Sequence, residues 1–139
     1  MTFYGTFGEW EKAQLWLNRT ISDKRSGRRQ YEKFWVRFYS LIIYYELDMN
    51  DFDIHVQSVQ KYLQRNNGYS DIAKKITYKI LEVYSAGYKK ERLVLWKELY
   101  TILQDESILV DRFSIPLEEL KQWCKSKIEG VSIAEIVRR

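Results

Sequence analysis

Tyr31 to Arg65, YEKFWVRFYSLIIYYELDMNDFDIHVQSVQKYLQR, is the stretch whose reading decides the fold. In its first half Phe34, Trp35, Phe38, Leu41, Ile42 and Tyr45 recur at steps of three and four, which stacks them on one face of a 3.6-residue helix. Val36, Tyr39 and Ile43 form a second apolar row, and Lys33, Arg37, Ser40 and Tyr44 fill most of the remaining surface. A surface helix needs an apolar arc of only about 100°. This one is wider, so the helix should have neighbours on two sides. Asp48 to Asn50 reads as a tight polar turn. Beyond it Phe52, Val56, Val59 and Leu63 line one narrow stripe, with Asp53, Gln57, Gln60 and Gln64 opposite. A broad-faced helix and a narrow-faced one joined by a short turn make an antiparallel helical hairpin.

Upstream, Trp10, Ala13, Leu17 and Ile21 follow a four-residue rhythm from Gly8 onward, with Trp16 beside them, and Ser22 to Arg29 (SDKRSGRR) reads as a basic loop. Downstream, Asn66, Asn67 and Gly68 end the hairpin's second helix, and Ser70 or Asp71 is placed to cap the next. That next helix carries Ile72, Ile76, Ile80 and Val83 and stops at Gly87. A fifth helix carries Leu93, Trp96, Tyr100 and Leu103, broadened by Leu95, Leu99 and Ile102. Asp105 to Phe113 is a connector, and Pro116 suits the first turn of a sixth helix, where its missing N–H costs nothing. Leu117, Leu120, Trp123 or Cys124, and Ile128 supply that helix's apolar side; Glu118 and Glu119 favour its N-terminal end, and Gly130 ends it. Ser132 to Glu135 has capping-box spacing and opens a last short helix. No strand-like alternation persists for more than a few residues, and the expected class is all-α.

The chain of 139 residues suits one domain, 1–139, with a substantial core. One Pro and six Gly leave long uninterrupted segments, as helices require. No apolar run approaches the ~20 residues that span a bilayer, so no membrane association is expected, and no signal peptide is recognisable. A single cysteine, Cys124, rules out an intrachain disulfide and points to a cytoplasmic location. The net charge of +4 is a mild basic excess, compatible with nucleic acid without demanding it. Eleven Tyr and five Trp suit packed helical faces, and any that remain exposed would suit an interaction surface.

Gly8-Glu-Trp10-Glu-Lys-Ala13 matches the G-x-Y-x-x-A type of opening of a repeat's second helix, with Asn50-Asp51-Phe52 and Ala86-Gly87-Tyr88 at the equivalent turn-plus-aromatic position. The aromatics Trp10, Phe52 and Tyr88 recur at intervals of 42 and 36 residues, against about 34 in tetratricopeptide repeats. On these features, with Tyr45-Glu46-Leu47 closing the run from Phe38, Tyr62-Leu63, and the tail Trp123 to Val137, residues 8 to 137 resemble the C-terminal part of uncharacterised bacterial tetratricopeptide (TPR)-like proteins. His55 and Glu91 stand where the repeat has a small Ala, and the inner units lack the closing Pro. The resemblance implies a TPR-like α-α superhelix of stacked antiparallel helical hairpins, with about six main helices and a short C-terminal one. It also implies that a first-helix partner for Gly8 to Leu17 lies upstream, where seven residues remain. Three arrangements answer that: the chain is a segment of a longer solenoid, the face of Trp10, Ala13, Trp16 and Leu17 self-associates with another subunit, or it is buried within the chain.

One His and one Cys exclude an ordinary Cys/His zinc site within the chain. The acids Asp48, Asn50, Asp51 and Asp53 fail as a calcium loop, since the sixth position is Asp53 rather than Gly and the closing position is Val59. No phosphate-binding Gly-rich loop or nucleophile elbow appears, and Cys124 and His55 fall on different helices. Neither catalysis nor a cofactor is expected. The expected function is a protein-interaction scaffold, with Lys33, Arg37, Tyr44 and Arg65 as the partner-binding set on the central hairpin. The alternative is a nucleic-acid patch built from Arg19, Lys24, Arg25, Arg28 and Arg29, continued by Lys33 and Arg37. Lys74-Lys75 and Lys89-Lys90 read as solvent faces.

Overall fold

The central helix of the hairpin has buried residues around almost its whole circumference: Val36, Phe38, Tyr39, Ser40, Leu41, Ile42 and Ile43 are all out of solvent. The structure, a computed structural model, describes residues 9–22, 30–47, 50–65, 71–105 and 117–138, with the side chains of 21–22 and 30–35 outside the description. Within these residues lie seven helices and no strand: α1 (Trp10–Ser22), α2 (Gln30–Glu46), α3 (Phe52–Arg65), α4 (Asp71–Ser85), α5 (Lys89–Leu103), α6 (Leu117–Glu129) and α7 (Ile133–Arg138). Each packs on the next in chain order. No helix among the described residues is long and apolar enough to cross a membrane.

The α2–α3 hairpin is antiparallel, because Tyr45 meets Phe52, Tyr44 meets His55 and Arg37 meets Tyr62. The α3 stripe buries Phe52, Val56, Val59 and Leu63, as its spacing requires. The α3–α4 pair is again antiparallel, with Phe52 against Tyr84 and Gln60 donating to Thr77 Oγ1 at 3.2 Å. Ala86 to Tyr88 connect α4 to α5, and Lys79 on α4 pairs with Glu98 on α5 at 2.8 Å.

Helix α6 lies along α2. Glu119 accepts from the Tyr39 hydroxyl, Trp123 packs edge-on against Tyr45, and Glu46 meets both Trp123 and Lys127. Positions climb together on the two helices, so they run parallel. The wide apolar surface of α2 is thus shared among α1, α3 and α6. Each fully buried Leu, Ile or Phe contributes about 1.5–3 kcal/mol relative to exposure. On the α1 face Ala13 and Leu17 are completely buried, while Trp10 and Trp16 are half-buried, Trp16 edge-on to Tyr39 at 5.9 Å.

Helix ends follow their local chemistry. Gly130, at φ 70°, takes the left-handed position after α6, and the N–H of Val131 reaches back to the carbonyl of Ser126 at 3.0 Å, a Schellman closure. Ser132 Oγ accepts the Glu135 N–H at 3.2 Å, one half of the capping box that opens α7. Phe34, Trp35, the loop 23–29, the Asn66-Asn67-Gly68 stop, Ser70, the connector after Asp105 and Pro116 lie outside the described residues or side chains.

Candidate functional site

The ends of α2, α4 and α6 and the start of α5 converge on an open cleft of about 980 Å³. Its floor and walls carry Tyr45, Tyr84, Leu93, Trp96 and Ile128, and its rim carries Lys89, Lys90, Arg92, Lys127, Glu46 and Glu129. The floor is an aromatic cluster. Tyr45 lies edge-on to Trp96 and Trp123, each at 5.5 Å, and to Phe52 at 5.6 Å; Trp96 meets Trp123 at 4.8 Å, and Phe52 tilts over Tyr84 at 4.6 Å. Edge-to-face pairs of this kind each add about 0.5–1.5 kcal/mol beyond area burial. The floor is rigid.

At the rim one oxygen of the Glu46 carboxylate is engaged twice. It accepts from Trp123 Nε1 at 2.8 Å and pairs with Lys127 Nζ at 2.6 Å, and Lys127 also lies over the Tyr45 ring. Lys127, in the last turn of α6, sits at the carbonyl end of that helix's dipole, where a cation is favoured. The other three cations are placed differently. Lys89, Lys90 and Arg92 occupy the first turn of α5, are exposed, and have no ion pair among the described residues. Tyr88 holds the N-cap position with extended backbone and makes no side-chain capping bond. A cation at a helix N-terminus meets the positive end of the dipole, at a cost of roughly 0.3–1 kcal/mol. Only Glu91 offsets this within the turn. Local rules broken without internal compensation cluster at functional sites.

The residues expected from sequence distribute as follows. Arg37 and Tyr44 lie half-buried in the α2–α3 seam: the Arg37 guanidinium stacks over Tyr62 at 4.1 Å, and Tyr44 meets the His55 ring edge-on at 4.0 Å. Between them Ser40, fully buried, donates to the Arg37 carbonyl, so its oxygen must accept from His55 Nε2 at 2.9 Å. Burial first, and the Arg37 charge second, lower the His55 pKa to about 4. Arg65 is exposed at the end of α3, and the side chain of Lys33 lies outside the description. Arg19 is exposed on α1 and, with Lys12, Leu15 and Trp16, borders a shallow depression of about 190 Å³; Lys24, Arg25, Arg28 and Arg29 lie outside the described residues.

Elsewhere, an outer depression of about 460 Å³ along α4 is lined by Lys74, Lys75, Tyr78 and Lys79 together with Asp71 and Glu82. Its charges are mixed, and Lys79 is held by Glu98 and Glu82. Among the described residues no group of three or more His, Cys, Asp or Glu is arranged to hold a metal ion. The cleft was not found from sequence, which read Lys89-Lys90 as a solvent face. The available signal was three cations in the first turn of a helix that opens two residues after Gly87.

Comparisons of the chain with protein-family models, with curated proteins and with solved structures give no match.

Proposed function

We propose that this chain is a non-catalytic protein-binding module of the tetratricopeptide-like kind. The antiparallel pairs α2–α3 and α4–α5 act as successive hairpins, and α6 closes them against α2. The observation that carries this reading is the cleft at the hairpin ends, whose volume of about 980 Å³ admits several side chains of a partner. Its apolar floor and charged rim match the anatomy of a protein interface. Among the described residues the groups with displaced protonation, Tyr39, His55, Lys79 and Cys124, lie away from the cleft, which favours binding over chemistry.

The test is capture from the host's lysate with this chain as bait, with and without nuclease, beside the variant Ala86→Trp. Ala86 borders the cleft outside any helix, so an indole there fills the space without breaking a helix. A protein retained after nuclease and moderate salt, and lost with Ala86→Trp, is the expected result. Equal recovery by the blocked variant, or recovery of nucleic acid alone, would overturn the reading.

A further inference from the structure

We infer that the cleft selects an acidic partner segment, one carrying Asp or Glu side chains interspersed with apolar ones; this rests on the protein-binding reading above. The rim decides the charge. Of its four cations Lys127 is answered by Glu46, whose one carboxylate oxygen serves both Lys127 and Trp123. Lys89, Lys90 and Arg92 remain exposed and without an ion pair among the described residues, whereas Lys12 has one and Lys79 two. They stand in the first turn of α5, where the helix dipole repels them and the N-cap side chain gives no bond. Carboxylates arriving at this rim meet three cations and a favourable dipole end together. Glu129 is the other acid on the rim, and it leaves the cations in excess.

The floor decides the rest of the chemistry. Leu93, Ile128 and Tyr84 are half-buried beside the rim and offer an apolar seat between charged contacts. A nucleic acid would need aromatic faces free to stack on bases. Here Tyr45 is edge-packed by four rings, Phe52 lies across Tyr84, and Trp96 is 4% exposed. Tyr88, 77% exposed, does not line the cleft. The arrangement therefore fits a polypeptide with carboxylates better than a phosphate backbone with bases.

The experiment measures fluorescence anisotropy of labelled synthetic peptides on the full chain. One peptide alternates Glu with Leu, a second replaces every Glu by Gln, and an oligothymidylate serves as the nucleic-acid probe. The Glu-Leu peptide should bind, weaken with added salt, and lose roughly tenfold or more in affinity in the triple variant Lys89→Glu, Lys90→Glu, Arg92→Glu, since each exposed ion pair accounts for about a two- to fivefold factor. A charge-matched reversal elsewhere, Lys74→Glu, Lys75→Glu, Lys97→Glu, should leave binding within about twofold. Circular dichroism checks that both variants fold, and Lys89→Gln, Lys90→Gln, Arg92→Gln supplies a milder version of the first. Equal weakening by both reversals, tighter binding of the oligothymidylate, or no binding of the Glu-Leu peptide overturns the inference. Binding of the Gln peptide at equal strength, blocked by Ala86→Trp, would sink the acidic preference and leave the protein-binding reading standing. Failure of both peptides, with capture unaffected by Ala86→Trp, would remove both.

Discussion

The carboxylate of Glu46, in the last turn of α2, accepts the indole N–H of Trp123 on α6 at 2.8 Å, across 77 residues of chain. The same oxygen pairs with Lys127, one turn further along α6. Trp123 is completely buried, so its N–H has no recourse to water. This contact fastens α6 to α2 and holds the aromatic floor of the cleft in place.

Removal of the Glu46 acceptor should therefore cost more than loss of the charge. Glu46→Ala leaves a buried N–H unsatisfied and is expected to destabilise by about 1–3 kcal/mol. Glu46→Gln keeps an amide oxygen for Trp123 and should cost about 1 kcal/mol, as should Lys127→Met. Urea unfolding checks this through a lowered midpoint at unchanged slope. Equal midpoints for the Ala and Gln variants would show that the hydrogen bond is not what secures α6.

His55 makes stability depend on acid. Its folded pKa of about 4 lies below the ordinary 6.5, because burial and the Arg37 charge both disfavour the imidazolium. Between those values the unfolded chain takes up a proton that the folded chain declines. The stabilisation is complete above pH 6.5 and is lost as pH falls toward 4, by less than the full shift would give because the half-buried ring is partly screened by solvent. His55 is the single histidine of the chain, so one ring resonance reports its titration. A midpoint near 4 is expected, and His55→Gln should flatten the pH dependence of the urea midpoint. A midpoint near 6.5 would contradict the half-buried, neutral ring.

Much of the helical layout was legible because it rests on local periodicity. The stripe Phe52, Val56, Val59 and Leu63 is buried as spaced, and the over-wide apolar surface of α2 correctly required neighbours on more than one side. Ser40 was less legible. It read as part of a polar remainder, yet it is fully buried, because a serine in a helix can satisfy its own hydroxyl on the carbonyl three residues back. Periodicity also names a face without naming its partner. Tyr45-Glu46 and Trp123 were each conspicuous as motifs, but nothing local says that they meet. Arg37 and Tyr44 looked like surface for the same reason; Tyr62 and His55, from the opposing helix, cover them. The cleft depends on four helix ends arriving together, so Lys89, Lys90 and Arg92 resembled any solvated cations until α2 and α6 were placed beside them.

Cys124 should behave as core. It is completely buried on α6, and burial pushes its thiol well above the ordinary range, so the reactive thiolate is suppressed. Alkylation of the native protein at mildly alkaline pH is expected to proceed only as fast as the chain opens, and to accelerate sharply in urea. Cys124→Ala should cost about 1 kcal/mol through the small void it leaves. Rapid labelling of the native state would mean that α6 opens locally.

Two glycines should respond to alanine with opposite signs, although an added Cβ meets nothing within 4 Å at either. Gly130 holds φ 70° in the closure that ends α6, where a Cβ crowds the backbone of its own residue. Gly130→Ala is expected to destabilise by about 1–2 kcal/mol, and Gly130→Asn by less, since Asn tolerates that conformation. Gly87 lies outside the left-handed region, in the connection between α4 and α5. Gly87→Ala should therefore stabilise by about 0.4–1 kcal/mol, through the lower entropy of the unfolded chain. Because neither site has a neighbour to strike, the difference between the two urea midpoints isolates the backbone term. A neutral Gly130→Ala would mean that Val131 does not depend on a left-handed residue to reach the Ser126 carbonyl, and that the turn placing α7 is held by the Ser132 cap instead.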